Sequence, residues 1–200
     1  MAEQLKEMSG DEFVAKLLPG ERDFRKIKLE HGYRLSIPAV SPTQKYYYDV
    51  TGGNSDQIKE YSLDVSGSDL SGLKVTSLFW PYITAVETDF KFATLNAAQF
   101  YFGDLRKANF FGANMERTTF FRADVTGANF SRAKLDYTTF EYADLAEVNF
   151  TEADLRGADL RGKNLDTAKG LDSAHFFKTH INPEDKHMLA KMLKERKFMV

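Results

Sequence analysis

The sequence predicts an all-β solenoid of four-sided coils, with a short helix at its N-terminal end and a capping helix at its C-terminal end. Three observations carry that prediction. Every fifth residue from Leu70 to Leu165 is an apolar hub. Two residues before most hubs stands a small or apolar residue, often alanine, as at Ala98, Ala108, Ala128 and Ala143. The hubs also alternate, Phe90, Phe100, Phe110, Phe120, Phe130, Phe140 and Phe150 against Leu95, Leu105, Met115, Val125, Leu135, Leu145 and Leu155.

A period of five fits neither a helix nor a flat strand. It requires a chain that turns a corner about every five residues. In an extended segment residues two apart share a face. Each hub and the residue two before it therefore point inward, and the other three point out. The outward positions are polar or turn-forming, as at Asp104, Asn109, Gly112, Asp124 and Gly127. Hub alternation stacks like on like only if each coil holds an even number of sides. Two sides enclose nothing and six leave a hollow, so four sides and a 20-residue coil are expected. Phe90, Phe110, Phe130 and Phe150 then form one internal column, and Phe100, Phe120 and Phe140 the opposite one.

The elements follow in order. Residues 1–20 read as a helix or cap: Ser9 and Glu12 have capping-box spacing, Phe13 and Leu17 share a face, and Pro19-Gly20 ends it. Residues 21–64 read as an irregular first coil. Phe24 and Leu29 are early hubs, Leu35 is out of phase, and a loop rich in turn residues around Tyr46-Tyr47-Tyr48 is inserted. Residues 65–170 are the repeat array. Its pattern weakens at Phe79-Trp80-Pro81-Tyr82-Ile83, where a bulge or distorted corner is expected, and Lys163 falls on an inward position, which predicts a last coil open or frayed there. Residues 171–200 read as the capping helix, started by Asn182-Pro183-Glu184-Asp185 and apolar along Met188, Leu189, Met192 and Leu193.

The repeats resemble the pentapeptide-repeat family, whose pattern is A(D/N)LXX. Ala108-Asn109-Phe110, Ala113-Asn114-Met115, Ala128-Asn129-Phe130, Ala143-Asp144-Leu145, Ala153-Asp154-Leu155 and Ala158-Asp159-Leu160 carry the resemblance. It implies a right-handed quadrilateral β-helix. It also implies that DNA mimicry must be weighed, since some members resemble duplex DNA, bind DNA gyrase, confer quinolone resistance and dimerise through their C-terminal ends.

Composition narrows the function. The formal net charge is -2, without the basic excess usual in nucleic-acid binders. With no cysteine there is no disulfide, thiolate metal site or cysteine nucleophile. No apolar run approaches the ~20 residues of a membrane span, and Met1 to Gly10 lack a signal core, so a cytoplasmic protein is expected. His31, His175, His180 and His187 show no metal-ligand spacing, and no phosphate loop or nucleophile motif is present. We therefore expect no enzyme and no cofactor.

Phasing by 20 places Tyr82, Tyr101, Phe102, Phe121 and Tyr142 on one outer wall, beside Arg122 and Glu141, with Phe92 and Phe111 on another. An outer aromatic cluster is either covered, by residues 36–62 or by the N-terminal helix, or exposed for a protein partner. A second wall stacks Asp104, Asp124 and Asp144, but residues 65–170 hold 14 acidic and 12 basic residues, too balanced for a DNA mimic. The leading expectation is a non-catalytic scaffold for protein–protein interaction, with a gyrase-binding DNA mimic as the alternative. Met188, Met192, Phe198 and Met199 are candidate contacts of a homodimer formed through the C-terminal end.

Overall fold

The computed structural model describes residues 4–17, 23–29 and 62–196. The stop at Pro19-Gly20, Leu35, the insertion around Tyr46-Tyr47-Tyr48 and the terminal Phe198-Met199-Val200 lie outside the described residues.

From residue 62 onward each five-residue side contributes one backbone bridge, at the residue before the hub. The bridges are parallel and, up to Thr139↔Asp159, join residues 20 apart, as in Asp64↔Thr84, Thr84↔Asp104, Asp104↔Asp124 and Asp124↔Asp144. Four sides therefore close one coil. Each corner is a tight turn. Where the hub carbonyl accepts the N–H three residues on, as from Ala108 to Leu105 at 3.1 Å, the turn is hydrogen-bonded. From Val65 to Leu155 the second residue after each hub holds a positive φ, 55–60° where it is not glycine and 63–69° where it is, as at Phe102, Arg122 and Tyr142; a positive φ confined to that position marks a type II turn. The Asp or Asn before the hub closes the corner from outside. Asp124 Oδ1 accepts the Thr126 N–H at 2.9 Å and Asn149 Oδ1 that of Thr151 at 3.0 Å, the Asx-turn arrangement.

The two phenylalanine columns fill the core. Phe90, Phe110 and Phe130 stack at 5.0 and 4.8 Å, and Phe120 stacks on Phe140 at 5.0 Å. The columns meet edge to face, as Phe120 does with Phe130 at 5.4 Å and 78°, the geometry that aromatic quadrupoles favour. Ser68, Thr88, Thr118 and Thr138 take inward positions too, and each hydroxyl donates to a carbonyl of the preceding coil at 2.8–2.9 Å. A buried hydroxyl is tolerated on that condition.

Two sequence expectations are corrected. No bulge occurs near Trp80: Phe79↔Gln99 and Thr84↔Asp104 keep the 20-residue register. Trp80 heads the Phe100 column, and the small hub Ala85 is offset by the larger Ile83 beside it. One coil on the sizes reverse, with Gly103 beside Leu105; a Cβ on Gly103 would come within 3.0 Å of the Ile83 side chain. Lys163 is exposed, because the side after Leu160 is one residue short and Asp144 bridges Lys163, 19 residues on. Gly162 takes the inward place, where a Cβ would sit 2.7 Å from the Ala143 carbonyl oxygen.

At the N-terminal end a strand, β1 (Lys6–Met8), precedes helix α1 (Gly10–Leu17) and pairs in parallel with β2 (Ile27–Leu29). The sequence reading had no strand there. Ser9 Oγ accepts the Glu12 N–H at 3.1 Å, and α1 sets the buried Phe13 against Phe24 at 4.6 Å and Trp80 at 6.4 Å. Asp23 bridges Asp64 and Lys28 bridges Asp69, so extra chain enters the first coil between residues 29 and 62. At the other end helix α2 spans Lys186–Arg196. It starts later than expected, because Asn182 to Asp185 form a turn of their own. The Asn182 amide donates to the Gly162 carbonyl at 2.8 Å and to Asp185 at 3.2 Å, tying that turn to the last coil.

Candidate interaction surface

Stacked coils place the second residue after each hub directly over its counterpart 20 residues away. Outside the column of Trp80, Phe100, Phe120 and Phe140 this file is Tyr82, Phe102, Arg122 and Tyr142. Beside it runs the file Tyr101, Phe121, Glu141 and Arg161. The backbone welds the two together: Tyr82 N–H donates to the Tyr101 carbonyl, Phe102 to Phe121, Arg122 to Glu141 and Tyr142 to Arg161, at 2.7–3.1 Å.

All five aromatic residues singled out in the sequence come together here. Tyr82 stacks on Phe102 at 5.0 Å and 7°. Phe121 meets Tyr101, Phe102 and Tyr142 edge to face at 6.5, 6.1 and 5.5 Å. Phe102 and Tyr142 remain 40% and 54% exposed, whereas Phe121 and Tyr101 are half-buried. At the centre lies Arg122, its guanidinium carbon 5.8, 5.4 and 5.7 Å from the ring centres of Phe102, Phe121 and Tyr142. That central role was missed in the sequence, although Arg122 falls midway between positions 102 and 142 in the same file.

The opposite corner carries a second ladder. Phe92, 58% exposed, meets Phe111 at 5.5 Å and 87° and lies over Gly112, where a Cβ would come 2.8 Å from its ring. Arg132 sits over Phe111 at 5.8 Å and binds Glu152 at 2.8 Å. A third corner bears the exposed Tyr137 and Phe177. The sequence reading passed over both; the bridges Asp154↔His175 and Asp159↔His180, 21 residues apart, put Lys178 in the file of Tyr137 and Phe177 in the file beside it.

The acidic wall is internally spent. Asp104 is held by both arms of Arg106 at 2.7 Å, and Arg106 also lies 3.9 Å from Asp124. Asp144 accepts from the Ala146 N–H and from the Asn164 amide. Lys107 pairs with Glu87 at 3.1 Å. Elsewhere burial pushes the Asp154 and Asp159 carboxyls up, but hydrogen bonds from Arg156 and Arg161 outweigh it and hold both below the usual carboxylate range. The Arg25 side chain, with its backbone N–H, draws exposed Asp23 down to about 2.

Among the described residues no group of histidine and acidic side chains converges as a metal site. A groove of about 400 Å³ runs outside the coils between Asn96, Lys134, Tyr137 and Arg156. Of the candidate dimer contacts, Met188 is half-buried against the core of its own chain. The Met192 side chain, Phe198 and Met199 lie outside the described residues.

A family model for pentapeptide repeats matches residues 112–136 and 128–166, in eight copies. The chain belongs to the pentapeptide-repeat family. Pentapeptide-repeat proteins form right-handed quadrilateral β-helices. One such protein, from the Arabidopsis thaliana thylakoid lumen, is 32% identical, with 64% of this chain and 75% of that one aligned and a TM-score of 0.43. Rfr23, a pentapeptide-repeat protein of the cyanobacterium Cyanothece 51142, is 19% identical, covering 70% of this chain and 93% of its own, with a TM-score of 0.43. QnrB1, a plasmid-mediated fluoroquinolone resistance protein, is 15% identical over 66% and 86%, with a TM-score of 0.34. Among curated proteins nothing matches.

Proposed function

We propose that this pentapeptide-repeat protein is a non-catalytic scaffold that binds a protein partner at the corner of Tyr82, Tyr101, Phe102, Phe121 and Tyr142. The observation that carries the reading is the contiguity of those five rings around Arg122, against the two rings of Phe92 and Phe111 at the opposite corner. Aromatic and arginine side chains dominate binding energy at protein interfaces. Their backbone is fixed by the coil-to-coil hydrogen bonds, so little ordering cost accompanies docking. In this reading α1 and α2 act as end caps, shielding the core and unpaired backbone of the terminal coils.

A gyrase-binding DNA mimic receives less support. Duplex DNA presents one charge per ~1.7 Å, whereas the aspartates of the acidic wall are engaged in corners and ion pairs.

The test is capture from the native host with Phe121→Glu, using Phe111→Glu on the opposite corner as control. We expect the first substitution to abolish capture of the partner and the second to leave it intact, with melting temperatures little changed. Equal capture by both variants would remove the corner from consideration.

A further inference from the structure

We infer that the partner segment bound at this corner delivers a carboxylate to Arg122, from an aspartate or glutamate flanked by apolar residues. The inference rests on the docking reading above and names its chemistry. Elsewhere in the array Arg106, Arg132, Arg156 and Arg161 each hold a carboxylate at 2.5–2.8 Å; among the described residues Arg117 holds none either, but only Arg122 is set among three rings. Arg122 is exposed, and among the described residues it meets three rings and no acid. The nearest acid in its own pair of files, Glu141, lies 3.4 Å from Arg161 instead.

The register explains the difference. Arg132 finds Glu152 one coil on, 20 residues away. The equivalent position for Arg122 is Tyr142. Where the opposite corner has its neutralising carboxylate, this one has an exposed ring. Cation–π contact holds the guanidinium, and among the described residues its in-plane N–H donors have no acceptor. A guanidinium fork matches a carboxylate in two parallel hydrogen bonds. The exposed faces of Phe102 and Tyr142 on either side call for apolar side chains next to that carboxylate. A single cation with Glu141 close by fits one negative charge better than a phosphate dianion.

The experiment is selection of a displayed random-peptide library on the full chain, followed by affinity measurement for the enriched peptides. We expect enrichment of peptides with Asp or Glu between apolar residues. Changing that acid to its amide, or Arg122→Gln in the protein, weakens binding at least tenfold, and the two changes together add no further loss. Arg122→Lys retains part of the affinity. Tyr142→Glu supplies an internal carboxylate in the Glu152 register and weakens binding more than Tyr142→Gln does. Melting curves of each variant confirm that the chain still folds. Peptides that require Phe121 but ignore Arg122→Gln overturn the inference and leave the docking reading standing. A selection yielding only binders indifferent to Phe121→Ser, or no binders, overturns both.

Discussion

The corner of Tyr82, Phe102, Arg122 and Tyr142 and the corner of Phe92, Phe111, Arg132 and Glu152 are built on one plan. Each lies outside a buried phenylalanine column, and each joins aromatic rings to an arginine. They differ at one step of the 20-residue register: Glu152 neutralises Arg132 at 2.8 Å, while Tyr142 offers Arg122 a ring at 5.7 Å. The repeat fixes where outward side chains stand, while single residues decide whether the arginine of a corner is paired with a carboxylate or only with rings.

The largest effects test what the two corners share. Phe120→Ala and Phe130→Ala each remove a fully buried ring, one from each column, and each should cost ~3–5 kcal/mol in denaturant unfolding. A large disparity between them would mean that the columns do not share one core. Next comes Gly112→Ala, which places a Cβ against the Phe92 ring at a residue with φ +63°. It should cost about 1–2 kcal/mol, and a neutral result would show that the Phe92 ring does not rest there. By contrast Phe102→Ser and Tyr142→Ser trim exposed rings and should change stability by only about half a kcal/mol.

At the end of the file that runs beside the corner around Arg122, acid titration probes the ion pair of Asp159 with Arg161. The native carboxyl of Asp159 is held below its ordinary value, so its stabilisation is present above the unfolded pKa of about 3.9 and lost as pH falls through the native value. Asp159→Asn should therefore lower the melting temperature at pH 7, and the difference should shrink below about pH 4. A difference that persists under acid conditions would assign the loss to packing. The smallest expected effect is none: at micromolar concentration the protein should not protect gyrase from quinolones. Protection would restore the DNA-mimic reading.

Much of this was legible in the sequence because the signal is periodic. Hub alternation determines the number of sides, and that number sets the register of the outer residues from position 62 to 160. Phe100, Phe120 and Phe140 could be stacked on paper, and so could Tyr82, Phe102 and Tyr142. What escaped was aperiodic. The exchange of bulk between Ile83/Ala85 and Gly103/Leu105 lies across two coils, so a window along the chain reads it as a defect. One missing residue before Lys163 turns an inward side chain outward, and composition carries no trace of it. The late start of α2 depends on Asn182 bonding the Gly162 carbonyl, a contact 20 residues distant. Arg122 was visible as a neighbour of the rings, but its lack of a carboxylate depends on where Glu141 and Arg161 point.

In the proposed docking the corner around Arg122, and not its counterpart around Arg132, meets the partner. Site-specific photo-crosslinking in the native host tests this most directly, with a benzophenone side chain placed at position 102 in one variant and at position 92 in another. Both positions are exposed, lie outside phenylalanine columns and share the same turn geometry. The account predicts a discrete crosslinked protein at position 102 that disappears with Tyr142→Glu, and none at position 92. Equal crosslinking at the two positions, or at position 92 alone, would contradict it.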